Sequence, residues 1–355
     1  MATKKKKKQE EKLPPFLYND EVKKLKDKGP ERLYLIWGEE DYLADLFVGE
    51  LRKCCLPDGE DDFSYHKFTE RDFDLTALED AVSSIPFMTE RSFVEVRRVD
   101  INHLDEENTK RLLKLLESIP EYCTVVFLQS PEFQPDRRKK LYKELPKLGT
   151  EYHVGAQSDD ALINWIIRRF AAQGKRIELN AVMRLMNVSG NLMNKLIPEI
   201  DKVASFAAGS MVTVADVDAV AHHIPESKVF DMVKHISFGN TGAALTVLDE
   251  LIASKESDEI ATVAAIGYQM RHLYAARLVI DKGLDRSFLK TRCGVSSEYQ
   301  INDLMNNARR FSLQRLKNAV ELCAETDHKL KSSGTAPQEL LKECVLMLAS
   351  GGTNV

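Results

Sequence analysis

Over the first 155 residues the apolar positions alternate between two periods. Residues 16–28 recur apolar at helical spacing and stop at Gly29-Pro30. Residues 33–37 form a compact apolar strand, Gly38-Glu39-Glu40 a turn, and Asp41 an N-cap for a helix reaching Cys55. The spacing then predicts strands at 63–68, 92–97, 124–128 and 152–154. Between them it predicts helices at 75–84, at 106–118 (through Leu112, Leu113, Leu115 and Leu116) and, basic in character, at 137–144. Strands that are apolar throughout, separated by helices, predict a parallel sheet covered on both faces.

Beyond Gly155 the strand period disappears. Helices are predicted at 159–173, 180–187, 192–208 and 214–222, punctuated by Gly174, Gly190 and Gly209, and His222-His223-Ile224-Pro225 closes this block. A second helical block follows at 229–237, 241–254, 259–282, 302–307, 313–331 and 337–349, with Thr291-Arg292-Cys293 in a loop. The fold class is α/β plus all-α. The divisions are a basic disordered tail at 1–12, an α/β domain at 13–155, a small helical domain at 156–225 and a larger one at 226–350.

One stretch breaks the pattern. The helix that begins near Leu75 runs into Ile85-Pro86-Phe87-Met88, and the next strand starts at Ser92 after Thr89-Glu90-Arg91. Pro86 disfavours the α region at Ile85, so the helix must end or kink there. Apolar side chains at such a corner either plug the local core or stand exposed as an anchor for a partner. The residues alone leave both readings open.

Charge narrows the classes. The 355-residue chain carries a net −5, yet its first twelve residues hold six Lys against two Glu, so the body is more acidic than the total. That body lacks the basic surface of an autonomous nucleic-acid binder, and the Lys run at 4–8 reads as a solubilising tail. Six scattered cysteines, with no Cys-x-x-Cys and no long apolar run, suggest free thiols in a reducing cytoplasm, no zinc and no membrane span.

The chemistry is mostly negative. An α/β domain followed by a helical block suggests a nucleotide-binding ATPase, which needs Gly-x-x-x-x-Gly-Lys-Ser/Thr after its first strand. Here that segment is Trp37-Gly38-Glu39-Glu40-Asp41-Tyr42-Leu43, with one Gly, no Lys and three carboxylates that would repel a triphosphate. Glu39, Glu40 and Asp41 read as a turn and helix start rather than a cation site. Neither Gly-x-Ser-x-Gly nor His-Glu-x-x-His occurs, and the neighbouring His222 and His223 make a poor metal pair. No catalytic residue, cofactor or metal is expected. Arg137, Arg138, Lys139, Arg168 and Arg169 are candidate DNA-phosphate contacts, as is the pair Arg309-Arg310, although such clusters also serve as solvated faces. Tyr268, Arg271 and Tyr274 share a helix and read as packing residues. Two readings compete on residues alone: a hydrolase with an atypical phosphate loop, and a DNA-binding regulator using 159–188 as a helix-turn-helix.

Taken together, the chain resembles the δ-subunit family of the bacterial DNA polymerase III clamp loader from about Leu13 to Ala349. Leu33-Tyr34-Leu35-Ile36-Trp37-Gly38-Glu39-Glu40-Asp41-Tyr42-Leu43 is similar to the family's opening strand and Gly-Glu-Glu/Asp-x-Tyr-Leu signature. Residues 192–217, with Glu199-Ile200-Asp201-Lys202-Val203, resemble its lid segment. Val229-Phe230-Asp231-Met232-Val233 and Ala243-Ala244-Leu245 resemble the start of its collar domain, and Asp327 through Lys331-Ser332-Ser333-Gly334 its closing Asp…Lys-x-Gly.

The resemblance implies an AAA+ architecture of α/β domain, helical lid and helical collar, without a working phosphate loop and without its own ATP hydrolysis. It implies a cytoplasmic subunit of a DNA-directed DNA polymerase holoenzyme. Through its collar the subunit would join the γ/τ ATPase subunits and δ′ in a hetero-pentamer. It would grip the β sliding clamp with a hydrophobic wedge and open the ring for loading onto primed DNA during replication. By position the wedge is Pro86 and Phe87, flanked by Ile85 and Met88; here the chain departs from the family's usual Leu.

Overall fold

A computed structural model describes residues 13–57, 64–86, 89–254, 258–295 and 298–351. The basic tail at 1–12 lies outside the described residues. The chain divides into two compact units, residues 1–158 with 192–194, and residues 159–191 with 195–355.

The first unit is built from α1 (Tyr18–Lys28), β1 (Leu33–Trp37), α2 (Asp41–Cys55), β2 (Tyr65–Thr69), α3 (Leu75–Ser83), β3 (Ser92–Arg97), α4 (Glu106–Glu117), β4 (Cys123–Leu128), α5 (Lys140–Leu148) and β5 (Thr150–His153). Its sheet runs β2-β3-β4-β1-β5, and every pairing is parallel. The order follows hydrophobicity. β4 is buried at all six positions and lies at the centre, whereas Tyr-His-Lys-Phe-Thr and Thr-Glu-Tyr-His form half-buried edges. Helices cover the faces, and Leu78, Leu112, Leu116 and Leu145 pack with Val94, Val125 and Phe127 in a continuous core.

Two local readings are corrected. The basic helix expected at 137–144 begins at Lys140 and runs on through Pro146 to Leu148, because Asp136 accepts from the Arg138 N–H and holds the preceding residues in a turn. Asp41 is the first helical residue rather than the cap; Glu40 holds the cap position and makes no side-chain cap bond.

The second unit comprises α6 (Asp159–Ala172), β6 (Arg176–Ile177), α7 (Leu179–Ser189), α8 (Met193–Phe206, whose opening residues pack with the first unit), β7 (Met211–Val212), α9 (Val214–Val220), α10 (Pro225–Ser237), α11 (Thr241–Ser254), α12 (Glu259–Lys282), α13 (Ser287–Cys293), α14 (Glu298–Ala308), α15 (Leu313–Ser332) and α16 (Pro337–Ser350). The two-residue strands β6 and β7, too short to carry a period, pair in parallel. Thr291-Arg292-Cys293, expected as a loop, closes α13. Thr291 Oγ1 donates to the Ser287 carbonyl, and Gly294 ends the helix at φ +68°. From α10 onward the helices share one core centred on Met232, Ile266, Met270, Leu316 and Leu341. Arg184 on α7 donates to Asp218 on α9 and to Asp231 on α10. Among the described residues no helix is long and apolar enough to cross a membrane.

Candidate functional site

In a parallel sheet every helix-to-strand connection lies at the edge where the strands begin, and every strand-to-helix connection at the opposite edge. The corner between α3 and β3 is of the first kind and the β1–α2 turn of the second. The partner-anchor candidate and the degenerate phosphate turn therefore occupy opposite edges of one sheet.

The corner is held at both ends. Asp74 caps α3 by accepting from the Ala77 N–H, and the helix stops at Ser83 with Ser84 extended at ψ 127°. That stop, three residues ahead of Pro86, is compatible with the restriction proline imposes on Ile85. Tyr122 Oη donates to the Ser83 carbonyl at 3.3 Å. On the far side Thr89 Oγ1 lies 2.7 Å from both Ser64 Oγ and the Arg91 carbonyl. Between these ties Ile85 stands 75% exposed, further out than the other large apolar side chains described, and Pro86 is half-buried. Phe87 and Met88 lie outside the described residues. A β-branched apolar side chain held in water beside a proline, on a loop fixed at both ends, gains nothing from the fold it belongs to.

The opposite edge explains itself by packing. Gly38 adopts φ +137°, and a Cβ there would lie 2.3 Å from the Val154 carbonyl oxygen. The Glu40 N–H donates to that same carbonyl at 3.0 Å, so a donor that could have faced a phosphate is used within the sheet. The Glu40 side chain is fully buried. Its Oε2 accepts from the Met193 N–H at 3.2 Å, its Oε1 has no partner, and burial pushes the carboxyl above its ordinary range. Glu39 faces His153, whose ring stacks on Trp37, and Asp41 pairs with Arg98. The three acids thus point to three separate partners.

The basic candidates separate in the same way. Arg137 makes a two-pronged contact with Glu151, Arg138 pairs with Asp136, and Lys139 Nζ donates to the Asn102 carbonyl. In the second unit Arg168 is exposed on α6, and Arg169 lies over the Trp165 ring with its guanidinium carbon 5.3 Å from the centroid. Arg310 lies over Phe238 at 3.7 Å. Apart from Arg138 with Asp136 and the i, i+4 pair Arg169 with Trp165 on α6, these contacts were invisible in the sequence because each joins residues that no local spacing rule links.

Comparison with known proteins adds the following. The family model described as "DNA polymerase III, delta subunit" matches residues 34–154, and that described as "DNA polymerase III delta subunit, C-terminal domain" matches residues 226–348; together they span more than half of the chain. The DNA polymerase III subunit delta of Bacillus subtilis (strain 168) is 24% identical over 337 residues, covering 92% of this chain and 95% of the relative. A probable DNA polymerase III subunit delta of Aquifex aeolicus (strain VF5) is 22% identical over 302 residues, covering 82% and 83%. Among solved structures the Bacillus subtilis DNA clamp loader delta protein superposes with a TM-score of 0.51 at 22% identity, over 94% of this chain and 100% of that one.

Proposed function

The chain belongs to the DNA polymerase III delta-subunit family, and on that premise we propose that it grips the β sliding clamp at the α3–β3 corner and opens the ring for loading onto primed DNA. Ile85 and Pro86 supply the visible part of the wedge, and Phe87 and Met88 continue it in sequence. The single observation that carries the assignment is Ile85, exposed between two hydrogen-bonded ends of a short loop. A fully buried apolar side chain contributes about 1.5–3 kcal/mol, and a micromolar complex needs about 8. Two or three anchors, together about 3–9 kcal/mol, therefore supply much of the grip, with the loop backbone and the surrounding contacts adding the rest.

The mechanism is a shift of population. A closed ring and an opened one are in equilibrium, and a wedge that binds the opened form better raises its share. The chain supplies binding and position but no chemistry of its own. The β1–α2 turn supports that reading, since Gly38 is closed against Val154 and the Glu40 N–H, a donor a phosphate would need, is spent on the same carbonyl. ATP-driven steps then belong to the γ/τ subunits, which this chain joins with δ′ through residues 226–350. Residues 13–155 act as the clamp-gripping AAA+-type domain and 156–225 as the lid, in a cytoplasmic, DNA-bound assembly. Arg168, exposed on α6, is a basic candidate for contact with the DNA.

The test mixes the purified chain with the organism's sliding clamp and follows its capture and its release from circular DNA. Capture and release by the natural chain, with both lost in Ile85→Ala/Phe87→Ala, is the expected result. Unchanged affinity in that double variant refutes the wedge, and ATP turnover by the chain alone refutes the non-catalytic assignment.

A further inference from the structure

The second unit contains a cleft of about 380 Å³, opening among the end of α7, the first turn of α10, the middle of α12 and α14. None of its described lining residues belongs to the α3–β3 corner or the β1–α2 turn, and its volume is that of a small-molecule site.

Its walls are selective. Glu226 and Asp303 contribute carboxylates, and none of the described lining residues is Lys or Arg. The His272 imidazole adds no positive charge, because burial and the neighbouring Arg271 hold its pKa below the ordinary value. The first turn of α10 would favour an anion, but Glu226 already sits in it. Asp303 is pushed up by burial and by Asp231, while Lys234 and Arg184 act against that, and it accepts a hydrogen bond from Asn307 Nδ2 at 2.9 Å. The Tyr268 ring, 48% exposed, packs 4.0 Å from the His272 ring and offers an aromatic surface.

A second observation is independent of these acids. Ser227 lines the cleft at 2% exposure, and its Oγ has no hydrogen-bond partner. A buried hydroxyl left unpaired carries a standing cost that a ligand atom would remove.

We propose that this cleft binds a small organic cation with a slender apolar body, a guanidinium or primary amine on an alkyl chain. The charge lies against the Asp303 and Glu226 carboxylates, the chain runs over the Tyr268 ring, and one ligand N–H is donated to Ser227 Oγ. Carboxylates together with an aromatic face recognise a weakly hydrated cation and reject phosphates and carboxylic acids.

The test titrates the full chain with agmatine, a guanidinium and an ammonium on a four-carbon chain, with butylurea as an uncharged four-carbon chain and butyrate as an anion, by calorimetry and ligand-observed NMR. Agmatine is expected to bind with a dissociation constant of about 1 mM or tighter, and the other two about tenfold more weakly or worse. Asp303→Asn and Ser227→Ala should each weaken agmatine about tenfold, the loss expected for a charge-assisted or buried hydrogen bond. Asp249→Asn, outside the cleft lining on α11 and paired with Lys342, should leave it unchanged. Should Asp303→Asn fail to fold, Glu226→Gln carries the same expectation. The proposal is overturned by absence of agmatine binding, by equal binding of butylurea, or by natural affinity in the folded carboxylate variant.

Discussion

Arg137 Nη1 donates to the main-chain carbonyl of Tyr142 at 3.3 Å. In a regular helix that carbonyl would accept from residue 146, but residue 146 is a proline and has no N–H. The same guanidinium clasps Glu151, whose side chain is 3% exposed and also accepts from Trp37 Nε1 at 2.7 Å. One side chain thus compensates a helix-breaking residue and neutralises a buried acid on the edge strand. Arg137→Ala strips the Tyr142 carbonyl of this donor and leaves Glu151 with Trp37 Nε1 but no counter-charge. Because the arginine itself is 38% exposed, the expected cost is about 2–4 kcal/mol rather than the full penalty of a deeply buried pair. Urea unfolding reads it directly. Arg137→Lys should rescue little, since an ammonium cannot span both acceptors as the fork does. Arg138→Ala, whose side chain is 91% exposed, should leave the midpoint where it is.

Gly38→Ala is expected to destabilise the first unit by about 2–4 kcal/mol. Two causes add: the positive φ, and a Cβ pressed against the Val154 carbonyl. Thermal unfolding of the variant checks this, and a shift no larger than that of a Gly29→Ala control, at a positive φ with open space for the Cβ, would contradict the packing account.

The buried Glu40 carboxyl gives a pH dependence of defined sign. In the unfolded chain it titrates near an ordinary 4.5, and in the folded chain higher, because burial disfavours the ionised form. Above both values the acid is ionised in either state and the folded state bears the penalty. As the pH falls through the raised folded value, protonation relieves it, so this group adds stability toward acid and removes it as the pH rises. Glu40→Gln should flatten that segment of the stability–pH curve. Denaturant unfolding of both chains across the interval isolates Glu40 from other titrating groups, and parallel curves would refute the assignment.

In the second unit Arg184→Ala should cost about 3 kcal/mol, because Asp218 and Asp231 lose the guanidinium that joins α7, α9 and α10. The Arg184 side chain is 16% exposed, so solvent cannot substitute for it fully. Hydrogen exchange should show faster amide exchange in α9 and the start of α10, with the first unit unaffected.

Ile85→Ala should separate binding from stability. The side chain is mostly in water in the free protein, so the unfolding midpoint stays fixed, whereas clamp affinity falls about tenfold or more. Loss of stability without loss of affinity would reverse the assignment of the corner from anchor to core.

The sequence by itself determined the succession of strands and helices, the change from α/β to all-helical near residue 155, and the lack of a phosphate loop. Each depends on residues within a few positions of one another: a period of two or 3.6, a proline, or a missing Gly and Lys. The tertiary structure decided the order β2-β3-β4-β1-β5, the exposure of Ile85, the closure of Gly38 on Val154, and the use of Arg137 within its own domain. The closure of Gly38 joins positions more than a hundred residues apart, and even Arg137 and Glu151 meet only because α5 returns the chain to the sheet beside β1. A hydrophobic period shows that a face is buried but not what buries it, and a basic run shows charge but not which acid has already claimed it.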